Sequence, residues 1–330
     1  MKAILNQLFD HQQLTQDQAR EVLLKMSQGE YNASQISAFI SVYLMRTVTV
    51  DELQGFRDAL LQLCIPVDLQ GVESIDVCGT GGDGKDTFNI STASAFVLAA
   101  AGYKVSKHGN YGVSSICGSS NVLESLGYEF TADVDRLRRQ LDSTNICFFH
   151  APLFHPALAS VGPVRKELGV KTFFNLLGPL VNPCRPTHQI VGVFNLKVLR
   201  LYQYLLQQSE LKYTIVHAID GYDEVSLTGD TKVIQSGVEK LVRPSDFSLP
   251  HLTQESLYGG VDVESAAQIF TTVLSGKGTE SQNAVVAANV GLAIQTFTPS
   301  KEIKDCVAEA METLLAGKAM DTLTRLIDQA

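Results

Sequence analysis

Long apolar runs are missing from this chain, and so is a secretion leader. The longest apolar stretch, residues 95–101 with its flanks, is far below the ~20 residues that cross a bilayer. The N-terminus, Met1-Lys2-Ala3-Ile4-Leu5-Asn6-Gln7, turns polar at once and lacks the apolar segment of a signal peptide. These two absences predict a cytoplasmic protein with no membrane partner. The six cysteines (Cys64, Cys78, Cys117, Cys147, Cys184, Cys306) are scattered and form no C-x-x-C pair, which excludes a zinc-ribbon or disulfide framework. His150 and His155 lack the i, i+4 spacing of a helical zinc pair. The sequons at Asn32 and Asn89 are chance matches without a leader. Basic residues are in deficit, 26 against 35 acidic, for a net charge of −9. That balance speaks against a nucleic-acid partner but leaves room for a locally positive site. There is no internal repeat, low-complexity stretch or long charge run.

What is present is a globular composition, 45% hydrophobic and 18% charged, over 330 residues, enough for two domains. Residues 1–64 read as helices. Thr15-Gln16-Asp17-Gln18 and Thr49-Val50-Asp51-Glu52 fit the capping box, in which a hydroxyl and a side-chain carboxyl or amide satisfy free N–H groups. Ile36, Phe39, Ile40, Tyr43 and Leu44 recur at helical spacing. A linker over residues 65–68 ends the segment. Beyond it, β-rich runs at 74–78, 104–106, 146–149, 188–194 and 213–219 alternate with helical stretches at 93–101, 134–141 and 196–208. Further helices are expected at 266–274, 284–294 and 301–323. This alternation predicts an α/β domain over residues 69–330 with a mainly parallel central sheet, preceded by a small helical domain over 1–68.

Four polar clusters directly follow four of these strands: residues 79–84, 107–110, 150–156 and 220–224. In open α/β sheets, ligands bind beyond the carboxyl ends of the strands, so the clusters are expected to meet in one cleft. Gly79-Thr80-Gly81-Gly82-Asp83-Gly84 formally matches the dinucleotide fingerprint. However, no helix opens at Gly84, and the next strand ends in Lys107-His108 rather than in the acid that holds a ribose. A pyrophosphate loop fits better, because glycines let backbone N–H groups approach an anion. Asn89-Ile90-Ser91-Thr92 then opens a helix whose hydroxyls can cap it and whose free N–H groups suit a phosphate.

The blocks Asp76–Gly84, Thr87–Thr92, Lys107-His108-Gly109-Asn110, Gly118-Ser119-Ser120, His155-Pro156-Ala157, Val164–Gly169, Phe174–Leu180 and Gly221-Tyr222-Asp223-Glu224 resemble the signatures of anthranilate phosphoribosyltransferases, in that family's order. The resemblance implies the fold shared with pyrimidine nucleoside phosphorylases, with a return segment near residues 165–182 joining the small domain, and a homodimer formed through the helical domains. It implies transfer of the phosphoribosyl group from phosphoribosyl pyrophosphate to the amine of anthranilate, with two Mg²⁺ ions, in tryptophan biosynthesis. The amine is neutral at pH 7, so no residue is assigned as acid or base. Charge on the departing pyrophosphate is the difficulty, and cations and fixed N–H donors meet it.

Carried onto this sequence, the resemblance places Gly79, Gly82, Asp83, Thr87, Asn89, Ile90, Ser91, Thr92, Lys107 and Ser119 around phosphoribosyl pyrophosphate. Gly79, His108, Asn110, His155 and Arg165 would line the anthranilate site, and Ser91, Asp223 and Glu224 would bind metal. Three positions depart from the family pattern: Tyr111 stands where many members have Arg, Asn121 where many have Asp, and Ala159 where a bulkier residue is common. A nucleoside phosphorylase would usually read Lys-His-Ser-Thr at residues 107–110, and a nucleic-acid-binding relative would need a basic surface.

Overall fold

Reciprocal caps start three of the first four helices. Thr15 with Gln18 opens the helix Gln16–Ser27, Asn32 with Gln35 opens Ala33–Met45, and Thr49 with Glu52 opens Val50–Leu63. The computed structural model describes residues 1–112 and 116–329. It divides into two compact units: Met1–Val67 with Ala151–Arg185, and Asp68–His150 with Pro186–Ala330.

In the first unit, Gly55 permits a close helix crossing, since a Cβ there would lie 2.2 Å from the carbonyl oxygen of Gln16. Glu52 is fully buried and crowded with donors. It accepts from the amides of Leu14 (3.0 Å) and Thr49 (2.9 Å), the hydroxyl of Tyr43 and the guanidinium of Arg46. Burial pushes its pKa up, but Arg46 and the two amides outweigh that and hold it below the ordinary value. The returning segment is tied in by aromatic packing: Phe173 stacks on Phe56 at 4.5 Å and on Phe174 at 4.4 Å, beside Phe39 and Tyr43. Each such ring contributes roughly 1.5–3 kcal/mol by leaving water.

The second unit is built on a seven-stranded sheet: β1 (Ile75–Gly79), β2 (Val105–Gly109), β3 (Ile146–His150), β4 (His188–Gly192), β5 (Lys212–Ala218), β6 (Thr231–Gln235) and β7 (Val238–Val242). Its order is β3-β2-β1-β4-β5-β6-β7. The first five strands are parallel; β6 pairs antiparallel with β5, and β7 antiparallel with β6. The strand order reverses between β1 and β4, and crevices at such reversals receive ligands. Two apolar helices, Ile90–Ala100 and Glu280–Phe297, belong to the core of this unit. Among the described residues no helix is long and apolar enough to cross a membrane.

Three expectations need correction. The β6–β7 hairpin was not anticipated; its signal was the two-residue Ser236-Gly237 link, both residues at positive φ as such hairpins require. The helix expected over 301–323 is two helices, Ile303–Leu315 and Lys318–Ile327, broken where Gly317 takes φ +71°. Lys107 and His108 belong to β2 itself rather than to a loop after it.

Candidate active site

The glycine loop, the acidic loop and one helix start meet at the carboxyl edge of the sheet. Gly79 and Gly192 end β1 and β4 side by side. The loop 219–224 leaves β5 and crosses both strand ends so closely that a side chain on either glycine would collide with Asp223. A Cβ on Gly192 would lie 1.4 Å from the Asp223 carbonyl oxygen, and one on Gly79 2.4 Å from Asp223 Oδ2. Backbone contact thus requires glycine at position 192, while at position 79 the obstacle is the Asp223 carboxylate itself. Gly81, with φ +64° and nothing within 4 Å of its Cβ position, is required by conformation instead.

The two carboxylates are held rather than solvated. Asp223 Oδ2 accepts the Gly81 N–H at 2.7 Å. Glu224 Oε1 accepts both the N–H (3.0 Å) and the hydroxyl (2.7 Å) of Ser91. Both side chains are buried. Their pKa values rise well above the carboxylate range. Burial is the main cause, followed by the charge of Asp83 for Asp223 and of Asp223 for Glu224. A third acid, Asp83, therefore sits close enough to be felt by both.

At the start of the helix Ile90–Ala100 the structure differs from the capping role foreseen for its hydroxyls. Asn89 makes no side-chain cap, and its amide donates to the Cys117 carbonyl at 3.0 Å. The Ser91 hydroxyl and a free helix N–H are directed at Glu224. The positive end of the helix thus faces a carboxylate.

Between β1 and β2, side chains bridge the strands. The Asp76 carboxylate accepts the His108 N–H at 3.1 Å, and the Lys107 ammonium donates to the Val77 carbonyl at 2.6 Å. Burial lowers the Lys107 pKa, while Asp76 pulls it back up. Lys107 is only 3% exposed, so its charge acts from within the sheet. Asp76 opens the first motif block without a role assigned to it there; a carboxylate inside an otherwise apolar strand is the signal that marks it.

Beyond β2, Ser119 donates to the Asn110 carbonyl (3.3 Å), and the Asn110 side chain accepts the Tyr111 N–H (2.8 Å). Asn121 accepts the N–H groups of Gly112 (2.9 Å) and Gly118 (3.0 Å), a task needing only an acceptor oxygen, which either Asn or Asp supplies. Tyr111 donates to Glu124 at 3.2 Å and meets the His150 ring edge-on, 4.8 Å between centroids. Thr87 pairs with Tyr258 in an isolated bridge, while Gly82 has positive φ and Thr92 is buried in the helix.

His155 and Arg165 belong to the helical unit. His155 is buried, and desolvation lowers its pKa to about 4. Arg165 lies 5.0 Å over the Phe174 ring, and burial holds its pKa below the ordinary value. Ala159 lies in the short helix Pro156–Ser160 of the same unit.

The acidic loop, the glycine loop and the helix start bring oxygen donors together, from Asp223 and Glu224, Asp83 and Ser91, which suits a hard cation such as Mg²⁺. Among the described residues no three His, Cys, Asp or Glu side chains form a metal-binding group. Mg²⁺ commonly takes one or two carboxylates and completes its shell with water and substrate phosphate, so this donor set fits it.

Comparisons with known proteins agree with this architecture. The family model "Glycosyl transferase family, helical bundle domain" matches residues 2–64, and "Glycosyl transferase family, a/b domain" matches residues 71–320. The chain is 54% identical over 326 residues to the anthranilate phosphoribosyltransferase of Christiangramia forsetii, covering 99% of this chain and 98% of that protein. The crystal structure of the Thermus thermophilus anthranilate phosphoribosyltransferase superposes with TM-score 0.91 at 31% identity, over 98% of each chain. The Saccharomyces cerevisiae enzyme in complex with PRPP and Mg gives TM-score 0.91 at 26% identity, over 98% of this chain and 96% of that one. A helical unit, a sheet whose strand order reverses beneath a glycine loop, and whole-length matches of this strength place the chain in the anthranilate phosphoribosyltransferase family.

Proposed function

We propose that this protein transfers the 5-phosphoribosyl group of phosphoribosyl pyrophosphate to the amine of anthranilate, releasing pyrophosphate, as a step of tryptophan biosynthesis. The observation that carries the reading is the pair of buried carboxylates, Asp223 and Glu224, fastened to the glycine loop and to a helix start. In their ionised form these two acids would repel a pyrophosphate; a cation between them offsets that repulsion and favours the ionised form against the effect of burial. Mg²⁺, held by Asp223, Glu224 and Ser91, would supply that positive charge and stabilise the leaving group.

The chain's own groups orient the donor. Gly79, Gly82, Asp83, Thr87, Asn89, Ile90, Ser91, Thr92, Lys107 and Ser119 are the proposed donor contacts. Gly79, His108, Asn110, His155 and Arg165 are the proposed anthranilate contacts. Arg165 suits the carboxylate because its planar guanidinium can donate to two oxygens at once. The reading includes two Mg²⁺ ions, a cytoplasmic location and a homodimer. The dimer is supported by exposed Phe9, Leu44 and Met45 on helices of the first unit. With a −9 net charge, a nucleic-acid partner is not part of it.

The test is the loss of anthranilate fluorescence on adding phosphoribosyl pyrophosphate and Mg²⁺. In Asp223→Asn/Glu224→Gln, turnover is expected to fall at least about a hundredfold, roughly 3 kcal/mol in the barrier. A folded double variant with near-normal turnover and the same metal requirement overturns the metal assignment. No fluorescence loss with the wild type overturns the reaction.

A further inference from the structure

Val225 follows Glu224 directly and lies outside any strand or helix, yet it is fully buried. Its N–H and C=O therefore both need partners within the protein. One side chain supplies them. Asn289 Oδ1 accepts the Val225 N–H at 3.1 Å, and Asn289 Nδ2 donates to the Val225 carbonyl at 2.9 Å. The same amide also donates to Val285 O at 2.8 Å, four residues back on its own helix. Asn289 is 5% exposed and sits in the helix Glu280–Phe297, within the buried run of residues 283–294.

Asparagine is a poor helix former, and its amide would be an expense among Ala and Val neighbours unless fully bonded. Here every bond it makes outside its own helix goes to the residue after the acidic pair. From behind the site, the paired bonds fix both the position and the rotation of that peptide segment. Asp223 is fixed at the other end, where its carbonyl abuts Gly192.

We propose that Asn289 is a positioning residue for the acidic pair: its two-point hold on Val225 sets where the Asp223 and Glu224 carboxylates stand, and so sets the affinity for metal-bound pyrophosphate. This rests on the metal reading above. Groups that orient metal ligands from behind commonly change affinity or activity by about 10–100-fold when removed.

The test compares Asn289→Leu, which removes both bonds, with Asn289→Ser, whose smaller hydroxyl removes the direct two-point hold but leaves room for a bridging water. Thr296→Val is the control. Thr296 is two turns further along the same helix, buried, and bonded to Thr214 at 2.7 Å rather than to the acidic loop. Three quantities are read: hydrogen exchange of the segment 220–228 in ligand-free protein, the rise in Tm produced by Mg²⁺ with pyrophosphate, and the Mg²⁺ concentration for half-maximal rate alongside the anthranilate KM.

For Asn289→Leu the segment is expected to exchange at least about tenfold faster. The Mg²⁺–pyrophosphate Tm rise should shrink, and half-saturation by Mg²⁺ should move up by about 10–100-fold, with the anthranilate KM within about twofold. Asn289→Ser should show the same pattern more weakly, which keeps the proposal testable if the leucine variant fails to fold. Thr296→Val should lower Tm alone. Unchanged exchange and unchanged Mg²⁺ half-saturation in a folded Asn289 variant, or the same changes in Thr296→Val, overturn the proposal. If Asn289→Leu speeds exchange while Asp223→Asn/Glu224→Gln keeps the wild-type metal requirement, the metal reading has failed instead, and with it the proposed effect on affinity.

Discussion

Replacing Gly79 with alanine should disable the site while leaving the fold intact, and the structure allows the effect to be worked through. The new Cβ would stand 2.4 Å from Asp223 Oδ2, whereas carbon–oxygen contacts settle near about 3.5 Å, so the carboxylate must move ~1 Å. The loop cannot retreat as a whole, because the Asp223 carbonyl already abuts Gly192. The side chain must rotate, stretching or breaking its 2.7 Å bond from the Gly81 N–H. A hydrogen bond to a charged acceptor is worth about 1.5–3 kcal/mol. A misplacement of this size commonly costs on the order of a hundredfold in rate, about 2.7 kcal/mol. We expect kcat/KM to fall about a hundredfold with Tm lowered by only a few degrees, measured by anthranilate fluorescence and thermal unfolding. Gly192→Ala is the harsher companion. Its Cβ would meet backbone, which no side-chain rotation relieves, and the protein should fail to accumulate in folded form. A folded Gly79→Ala enzyme within about threefold of wild type would refute the reasoning.

Three further outcomes follow from the helical unit. Glu52→Ala leaves Arg46 and two amides without their buried acceptor and should lower stability by roughly 3–5 kcal/mol in urea titration; a loss below about 1 kcal/mol would contradict the burial argument. His155 has its pKa lowered to about 4 by burial, against about 6.5 when unfolded. Above pH ~6.5 both states are neutral and stability is flat. As pH falls from ~6.5 towards ~4, the unfolded state takes a proton that the folded state refuses, and stability drops by up to about 1.4 kcal/mol per pH unit. Burial lowers the pKa of His150, His188 and His217 as well, so His155→Gln should flatten part of this slope, and an unchanged slope between pH 7 and 4.5 would count against it. Arg165→Ala should raise the anthranilate KM at least about tenfold more than the donor KM, since a charge-assisted bond is worth about 1.5–3 kcal/mol; equal changes would mark a packing role over Phe174.

Local chemistry was legible wherever a signal spans a few residues. The caps at Thr15 and Thr49 form as their spacing requires, because a capping box closes within one turn. The first five strands lie close to the apolar, β-branched runs that mark them. The β6–β7 hairpin was harder to see, since β7 is largely exposed and has little apolar alternation. Residues 301–323 read as a single helix because the apolar spacing continues past Gly317, while the break depends on one backbone angle.

The sequence alone determined most of the elements, the glycine loop and the family, because periodicity, turn chemistry and ordered motif blocks are properties of neighbours along the chain. Only the tertiary structure decided that Asp223 and Glu224 are buried rather than solvated, since that depends on Gly79, Gly81 and Ser91 meeting them across more than a hundred residues, and on how closely Gly192 packs against them. Residues 31, 32 and 133 positions apart thus became neighbours: Lys107 is buried beside Asp76, the His108 N–H bonds the Asp76 carboxylate, and Ser91 points at Glu224 rather than capping its own helix. Asn289 reaches Val225 from 64 residues away. Such partners leave no spacing pattern in the chain; a parallel sheet with its crossovers brings them together, and burial then makes each hydrogen bond obligatory.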